Sequence, residues 1–268
     1  MLLRRAAMCL IVFSWRPEHA TRLVLLANRD EFYERPTEAM GWWQTQPDLL
    51  AGRDLRGGGT WLGVTRQGRF AALTNFRDGR APKPPADAPS RGLLVTDFLD
   101  ARQPPMPYLR EIEHQGAAYA GFNLLAADFA AGELAWYGNR SAHGPVPIEP
   151  GMHALSNALL DTPWPKTEHR RQALHEALQD EAGDDELLAL MRDSAQADPA
   201  LLPDTGVAAA WEQMLSAAFI AEPTYGTRCT TLLKVMSDGD VRVTEVVYDI
   251  HDNGGRARRD FDFRIRMP

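Results

Sequence analysis

Four residues of this sequence could do chemistry together: Cys9, Arg29, Asp30 and Glu31, the last three in the run "NRDE". A thiol is nucleophilic as its thiolate, and a guanidinium beside it favours that form. A carboxylate at Asp30 could hold a positively charged amine, provided that Cys9 carries a free one. Taken alone, the charge run reads first as a solvated turn with Asn28 as its turn residue. Cys9 is one of only 2 cysteines and directly follows Met8. A Met-Cys pair arises by chance in about one such sequence in fifteen, so chance is a live explanation.

Two strands must position these groups. "CLIVFSW" (Cys9 to Trp15) and "RLVLLAN" (Arg22 to Asn28) are apolar, partly β-branched runs separated by a turn with Pro17. They predict an antiparallel pair buried on both faces. If the second strand ends at Asn28, the two strand ends lie side by side, about 4.8 Å apart. The Arg29 and Asp30 side chains then reach the Cys9 sulfur and backbone nitrogen.

Further strands are expected in "GWWQ", "LLAGRD", and a hairpin of "TWLGVTR" and "RFAALTN" turning at Gln67-Gly68. The proline- and glycine-rich stretch from Arg77 to Ser90 predicts a surface loop. Helical period follows in "RGLLVTDFLDA" and "YLREIEHQGAAYA", and strand character in "GFNLLAAD" and "ELAWYGN". "PWPKTEHRRQALHEALQDE", "DDELLALMRDS" and "VAAAWEQMLSAAF" read as helices, the first with a proline acceptable in a first turn. "RCTTLLKVMS", "VRVTEVVYD" and "RRDFDFRIRM", the last alternating from Phe261 to Met267, read as three closing strands. Strand clusters flanking helical blocks predict a layered α+β domain.

Composition narrows the function classes. At 268 residues the chain can bury its own core. Its net charge of -7 and lack of a basic cluster argue against nucleic acid as the main partner. No CxxC or His/Cys spacing suggests a metal or c-type haem, and two cysteines build no disulfide framework. The apolar run after Arg4 and Arg5 is too short for a signal core or a membrane span. The expectation is a cytoplasmic protein with no metal, no nucleic acid and no membrane span.

In order along the chain, "MCLIVF", "LANRDEFYERPT", "GGTWLGV", "AALTNFR", "GFNLLAAD", "YGNR", "LSNALLDTPWPK" and "YGTRCTTLL" closely resemble the NRDE family, also called the transport and Golgi organisation family. The resemblance covers almost everything from Met8 onward. It implies an N-terminal nucleophile (Ntn) hydrolase-like αββα sandwich of two largely antiparallel sheets flanked by helices. It also implies that Met8 is the true initiator: residues 1–8 form a prefix, a mis-called start or a removable segment, and 9–268 a single domain. Methionine before a small residue is normally removed, which gives Cys9 both a thiol and an α-amine. In the similar cysteine Ntn amidases the thiolate attacks an amide carbonyl and the α-amine, whose reference pKa is ~7.7–8.0, is the local base.

By the same resemblance Arg29 and Asp30 hold the nucleophile, Asn75 and Asn157 orient substrate and stabilise the oxyanion, and Arg228 faces the nucleophile. Asn28, Glu31, Trp61, His153 and Trp164 are the expected substrate or ligand residues. Each has a plainer reading: strand-end roles for the asparagines, a surface ion pair for Arg228, core or rim packing for the tryptophans, and a structural imidazole at His153. Cys229 is expected to face the core as a small hydrophobe.

Two functions fit the resemblance, and a vestigial site is a third, blander reading. The first is an amidohydrolase that cleaves a linear amide or acyl bond in a small substrate with no required cofactor. The alternative is a carrier that holds a hydrophobic ligand, haem or acyl-CoA, in the same pocket, with Cys9 or His153 on the iron.

Overall fold

The computed structural model describes residues 8–82, 85, 87–249 and 255–265. Residues 1–7 of the expected prefix, and Met267 of the last alternating strand, lie outside the described residues.

Thirteen strands among the described residues form two antiparallel sheets. The first half of the chain supplies β1 (Met8–Trp15), β2 (Thr21–Phe32), β3 (Thr37–Trp42), β4 (Leu49–Asp54), β5 (Leu62–Thr65) and β6 (Arg69–Asn75). Then come helices α1 (Arg91–Asp100) and α2 (Pro105–Gln115), followed by β7 (Phe122–Asp128), β8 (Glu133–Gly138), β9 (Val146–Pro147) and β10 (Gly151–Leu155). Helices α3 (Pro165–Gln179), α4 (Asp184–Leu190) and α5 (Ala209–Met214) lead to β11 (Tyr225–Met236), β12 (Asp240–Asp249) and β13 (Gly255–Arg264). One sheet has the order β10-β1-β2-β11-β12-β13, the other β3-β4-β5-β6-β7-β8-β9.

Side chains alternate across a strand, so each sheet has two apolar faces to cover. Ile11, Phe13 and Trp15 of β1 and Leu23, Leu25 and Ala27 of β2 pack against Leu50, Val64, Phe70 and Leu125 of the facing sheet. Their alternates Leu10, Val12, Val24 and Leu26 pack against Leu174, Leu187 and Met191 in the α3–α4 layer. On the far side, α1 and α2 cover Ala71, Leu73, Leu124 and Ala126. The result is the expected α+β sandwich, helix–sheet–sheet–helix. Gly68 turns the β5–β6 hairpin at φ +85°, where a Cβ would be strained.

Three expectations change. β2 does not end at Asn28: it is paired with β1 as far as Asp30, opposite Met8, and with β11 through Phe32, opposite Tyr225. The "NRDE" run is therefore buried strand, and its polar groups find partners inside the sheet. The helical block "VAAAWEQMLSAAF" is helix only over α5. Beyond it the backbone serves the sheet: the carbonyl of Ala218 accepts from Asn28, and Ile220 exchanges hydrogen bonds with Thr227. Arg77, placed by the sequence in a surface loop, is buried, with its guanidinium 3.2 Å from Glu212 and stacked on Trp164.

Candidate active site

Cys9, Arg29 and Cys229 stand in one row across β1, β2 and β11. Alternation places Cys9, Arg29 and Glu31 on the face between the sheets and Met8, Asn28 and Asp30 on the helix-covered face. The two thiols are separated by the width of β2, about 10 Å, which is beyond disulfide reach. The Arg29 guanidinium lies 3.8 Å from Glu31 and 4.0 Å from Asp54 at the end of β4, so it crosses from one sheet to the other. Arg35 closes the network, 2.7 Å from Asp54 and 3.5 Å from Glu31.

Burial pushes the Cys9 thiol up to about 12, helped by the Asp30 charge; Arg29 and the Asp30 backbone N–H, which donates to the sulfur, pull the other way. With Met8 attached, the sulfur is thus a neutral thiol at physiological pH. Burial also raises Asp30 to about 6, against the Lys166 ammonium and the Thr227 hydroxyl, which donates to Oδ1 at 2.7 Å. Oδ2 of Asp30 is buried without a hydrogen-bond partner among the described residues.

The facing wall comes from the strand ends after β6 and β10. The Ser156 hydroxyl donates to the Cys9 carbonyl at 3.0 Å and lies 3.2 Å from Oδ1 of Asn157. The Asn157 amide donates to the Asn75 carbonyl at 2.8 Å, and the Arg77 backbone N–H donates to the Asn157 carbonyl at 2.7 Å. Asn157 is fully buried, and its amide has a second N–H to offer a developing oxyanion.

Several predicted residues thus converge: Cys9, Arg29, Asp30, Glu31, Asn75 and Asn157. Trp164 lies at the rim, stacked on Arg77. The others are committed elsewhere. Arg228 donates to the carbonyls of Phe32, Tyr33 and Arg35, which holds the β2–β3 turn instead of facing Cys9. Asn28 spends its amide on the carbonyls of Met191 and Ala218 and accepts from Thr230, so it pins α4 to the sheet rather than contacting a ligand. Both ring nitrogens of His153 are engaged, with Asp161 at 2.8 Å and the Glu149 carbonyl at 2.9 Å. Burial lowers this imidazole's pKa, but those two bonds outweigh it and raise the net value. Trp61 packs against the core between the sheets. Cys229 is buried as expected, and burial raises its thiol well above the ordinary range.

Sequence reasoning missed Lys166. It lies in the first turn of α3, is 4% exposed, and its Nζ has no hydrogen-bond partner among the described residues. Burial pulls this ammonium down to about 8, opposed first by Asp30. Beside it a cleft of about 80 Å³ is lined by Pro165, His169, Arg170 and Ser216. In the sequence "PWPK" is only a helix start. Glu212, which pairs with Arg77, and Tyr225, whose hydroxyl accepts from the Met8 N–H, were also missed, because nothing local marks partners so distant in the chain. Among the described residues no group of three or more His, Cys, Asp or Glu could hold a metal ion, and no helix is long and apolar enough to cross a membrane.

The architecture and site define a class: a two-sheet α+β sandwich with a buried cysteine at the start of a central strand, bracketed by arginine, aspartate and asparagine. The profile of the family described as "Transport and Golgi organisation 2" matches residues 8–249, and the chain belongs to that family. It is 38% identical over 278 residues to the human transport and Golgi organization protein 2 homolog, covering 97% of this chain and 100% of that one. The Drosophila melanogaster transport and Golgi organization protein 2 is 24% identical over 263 residues, covering 91% of this chain and 93% of the other. Among solved structures, penicillin V acylase from Agrobacterium tumefaciens superposes with TM-score 0.41 at 12% identity, covering 95% of this chain and 86% of that one. A Caenorhabditis elegans N-acylethanolamine-hydrolyzing acid amidase ortholog gives TM-score 0.39 at 10% identity, covering 84% and 92%.

Proposed function

We propose that this protein is a thiol hydrolase of linear amide or acyl bonds in small substrates, with Cys9 as nucleophile once residues 1–8 are removed. The observation that carries this reading is the registration of Cys9 against Arg29, with the Asp30 N–H on its sulfur and the Asp30 carboxylate on the neighbouring residue. Removal of Met8 turns the Cys9 amide nitrogen into an amine on the strand beside that carboxylate. Asp30, raised to about 6, is ionised at neutral pH and balances the ammonium form. The neutral amine takes the thiol proton, and the thiolate attacks the substrate carbonyl. An Asn157 N–H stabilises the oxyanion, and the ammonium returns the proton to the leaving nitrogen. Water, deprotonated by the same amine, then hydrolyses the thioester and restores the thiol.

The carrier reading has weaker support. His153 has no nitrogen to spare for haem iron. The deciding experiment is intact-mass analysis of a chain that begins at Cys9, incubated with an activated anilide. An acyl adduct that is absent after Cys9→Ala supports the hydrolase. A chain with a free Cys9 terminus that forms no adduct with any activated amide or ester overturns it.

A further inference from the structure

Met8 is 1% exposed. Its side chain fills a chamber walled by Leu215, Ala217, Ile220 and Tyr225, with Phe32 and Trp211 packed behind. Its backbone N–H donates to the Tyr225 hydroxyl at 3.0 Å. Three of the lining residues come from the stretch after α5, which the sheet holds in an irregular course through Asn28 and Thr227. A methionine side chain is unbranched, flexible and apolar, and it fits where a rigid or branched group would not. The walls are aliphatic and aromatic, and the polar groups at the mouth are the Tyr225 hydroxyl and Asp30. The chamber therefore takes an aliphatic chain whose polar end stops beside the Cys9 backbone nitrogen, where the Met8 carbonyl now sits.

We propose that the space held by the Met8 side chain is an apolar binding subsite, and that the substrates carry an unbranched aliphatic chain of at least methionine's length next to the scissile carbonyl. The inference deepens the thiol-hydrolase reading and rests on it for the word substrate. Met8 is then the occupant that keeps the subsite closed until residues 1–8 leave. Deleting them removes, among the described contacts, only the packing of Met8 and its hydrogen bonds. Seven residues of β1 remain paired with β2, and five of them with β10.

Calorimetric titration with octanamide tests the subsite without calling on Cys9 as a nucleophile. The full chain should give no saturable binding. The Met8→Ala full chain and the chain beginning at Cys9 should each bind saturably, and Leu215→Trp added to either should weaken binding at least tenfold. Octanamide that binds the unaltered full chain as well as the opened forms, or neither opened form, overturns the subsite. Acyl transfer to Cys9 is scored separately with acetyl and octanoyl anilides. No adduct from either, with octanamide still bound, sinks the hydrolase and leaves the subsite; equal adduct rates from both, with no octanamide bound, do the reverse.

Discussion

Removing residues 1–8 should change the reactivity of one thiol and leave the other unchanged. In the full chain the Cys9 thiol is pushed from 9.0 up to about 12, which lowers its thiolate population at pH 8 roughly a thousand-fold. Alkylation proceeds through the thiolate, so the full chain should react with iodoacetamide about a thousand times more slowly than an unburied cysteine. A chain that begins at Cys9 loses the burying residue and gains an amine beside the sulfur. Its Cys9 should react at least about a hundred times faster than in the full chain. Cys229 is an internal control, because burial and Glu245 hold its thiol high in both forms. Peptide mass analysis across a time course reads the two sulfurs separately. Rapid labelling of Cys9 in the full chain, or a freed Cys9 as slow as Cys229, would refute the idea that residue 8 locks the nucleophile.

Three further outcomes are expected. Lys166→Met removes the largest charge holding Asp30 down, so its carboxyl should titrate higher and the acid limb of Cys9 reactivity in the processed form should move to higher pH; an unmoved limb would place Lys166 outside the site. Arg228→Ala leaves the carbonyls of Phe32, Tyr33 and Arg35 without that donor, so urea denaturation should show a loss of about 1–3 kcal/mol while the alkylation rate of Cys9 stays put. His153 has a raised folded pKa, so the stability it contributes is fully present below its unfolded value of about 6.5 and is lost as pH rises through the folded one. The stability gap between the unaltered protein and His153→Leu should shrink from pH 6 to pH 9, and a gap that widens would contradict the Asp161 pairing.

The strands were legible because their apolar, β-branched runs are strong, and the closeness of Cys9 and Arg29 followed from two adjacent runs and one turn. The polar end of β2 was misread because charged residues usually mark a strand's exit. Here β1 pairs this stretch as far as Asp30 and β11 pairs it through Phe32, so Asn28 through Phe32 stay in the sheet. The helix after Val207 was over-extended because its periodicity is real, yet the sheet takes the backbone of Ala218 and Ile220. Arg77 and Lys166 were illegible for a different reason. A lone cation after a strand or at a helix start looks solvated until the fold buries it against Glu212 or Asp30.

Beside Cys9 the strand-end segments of opposite sheets are laced together: Asn157 donates to the Asn75 carbonyl, the Thr74 hydroxyl to the Ser156 carbonyl, and the Arg77 backbone to the Asn157 carbonyl. The other groups around Cys9 come from distant stretches of chain: Asp30 gains its Lys166 neighbour only when α3 has docked, and Tyr225 reaches Met8 only when β11 has joined the sheet. No fragment or early folding intermediate can hold the arrangement. If Cys9 is acylated as proposed in a chain that begins there, that reaction should be lost on heating or in denaturant together with the whole sandwich, which would make it a reporter of completed folding.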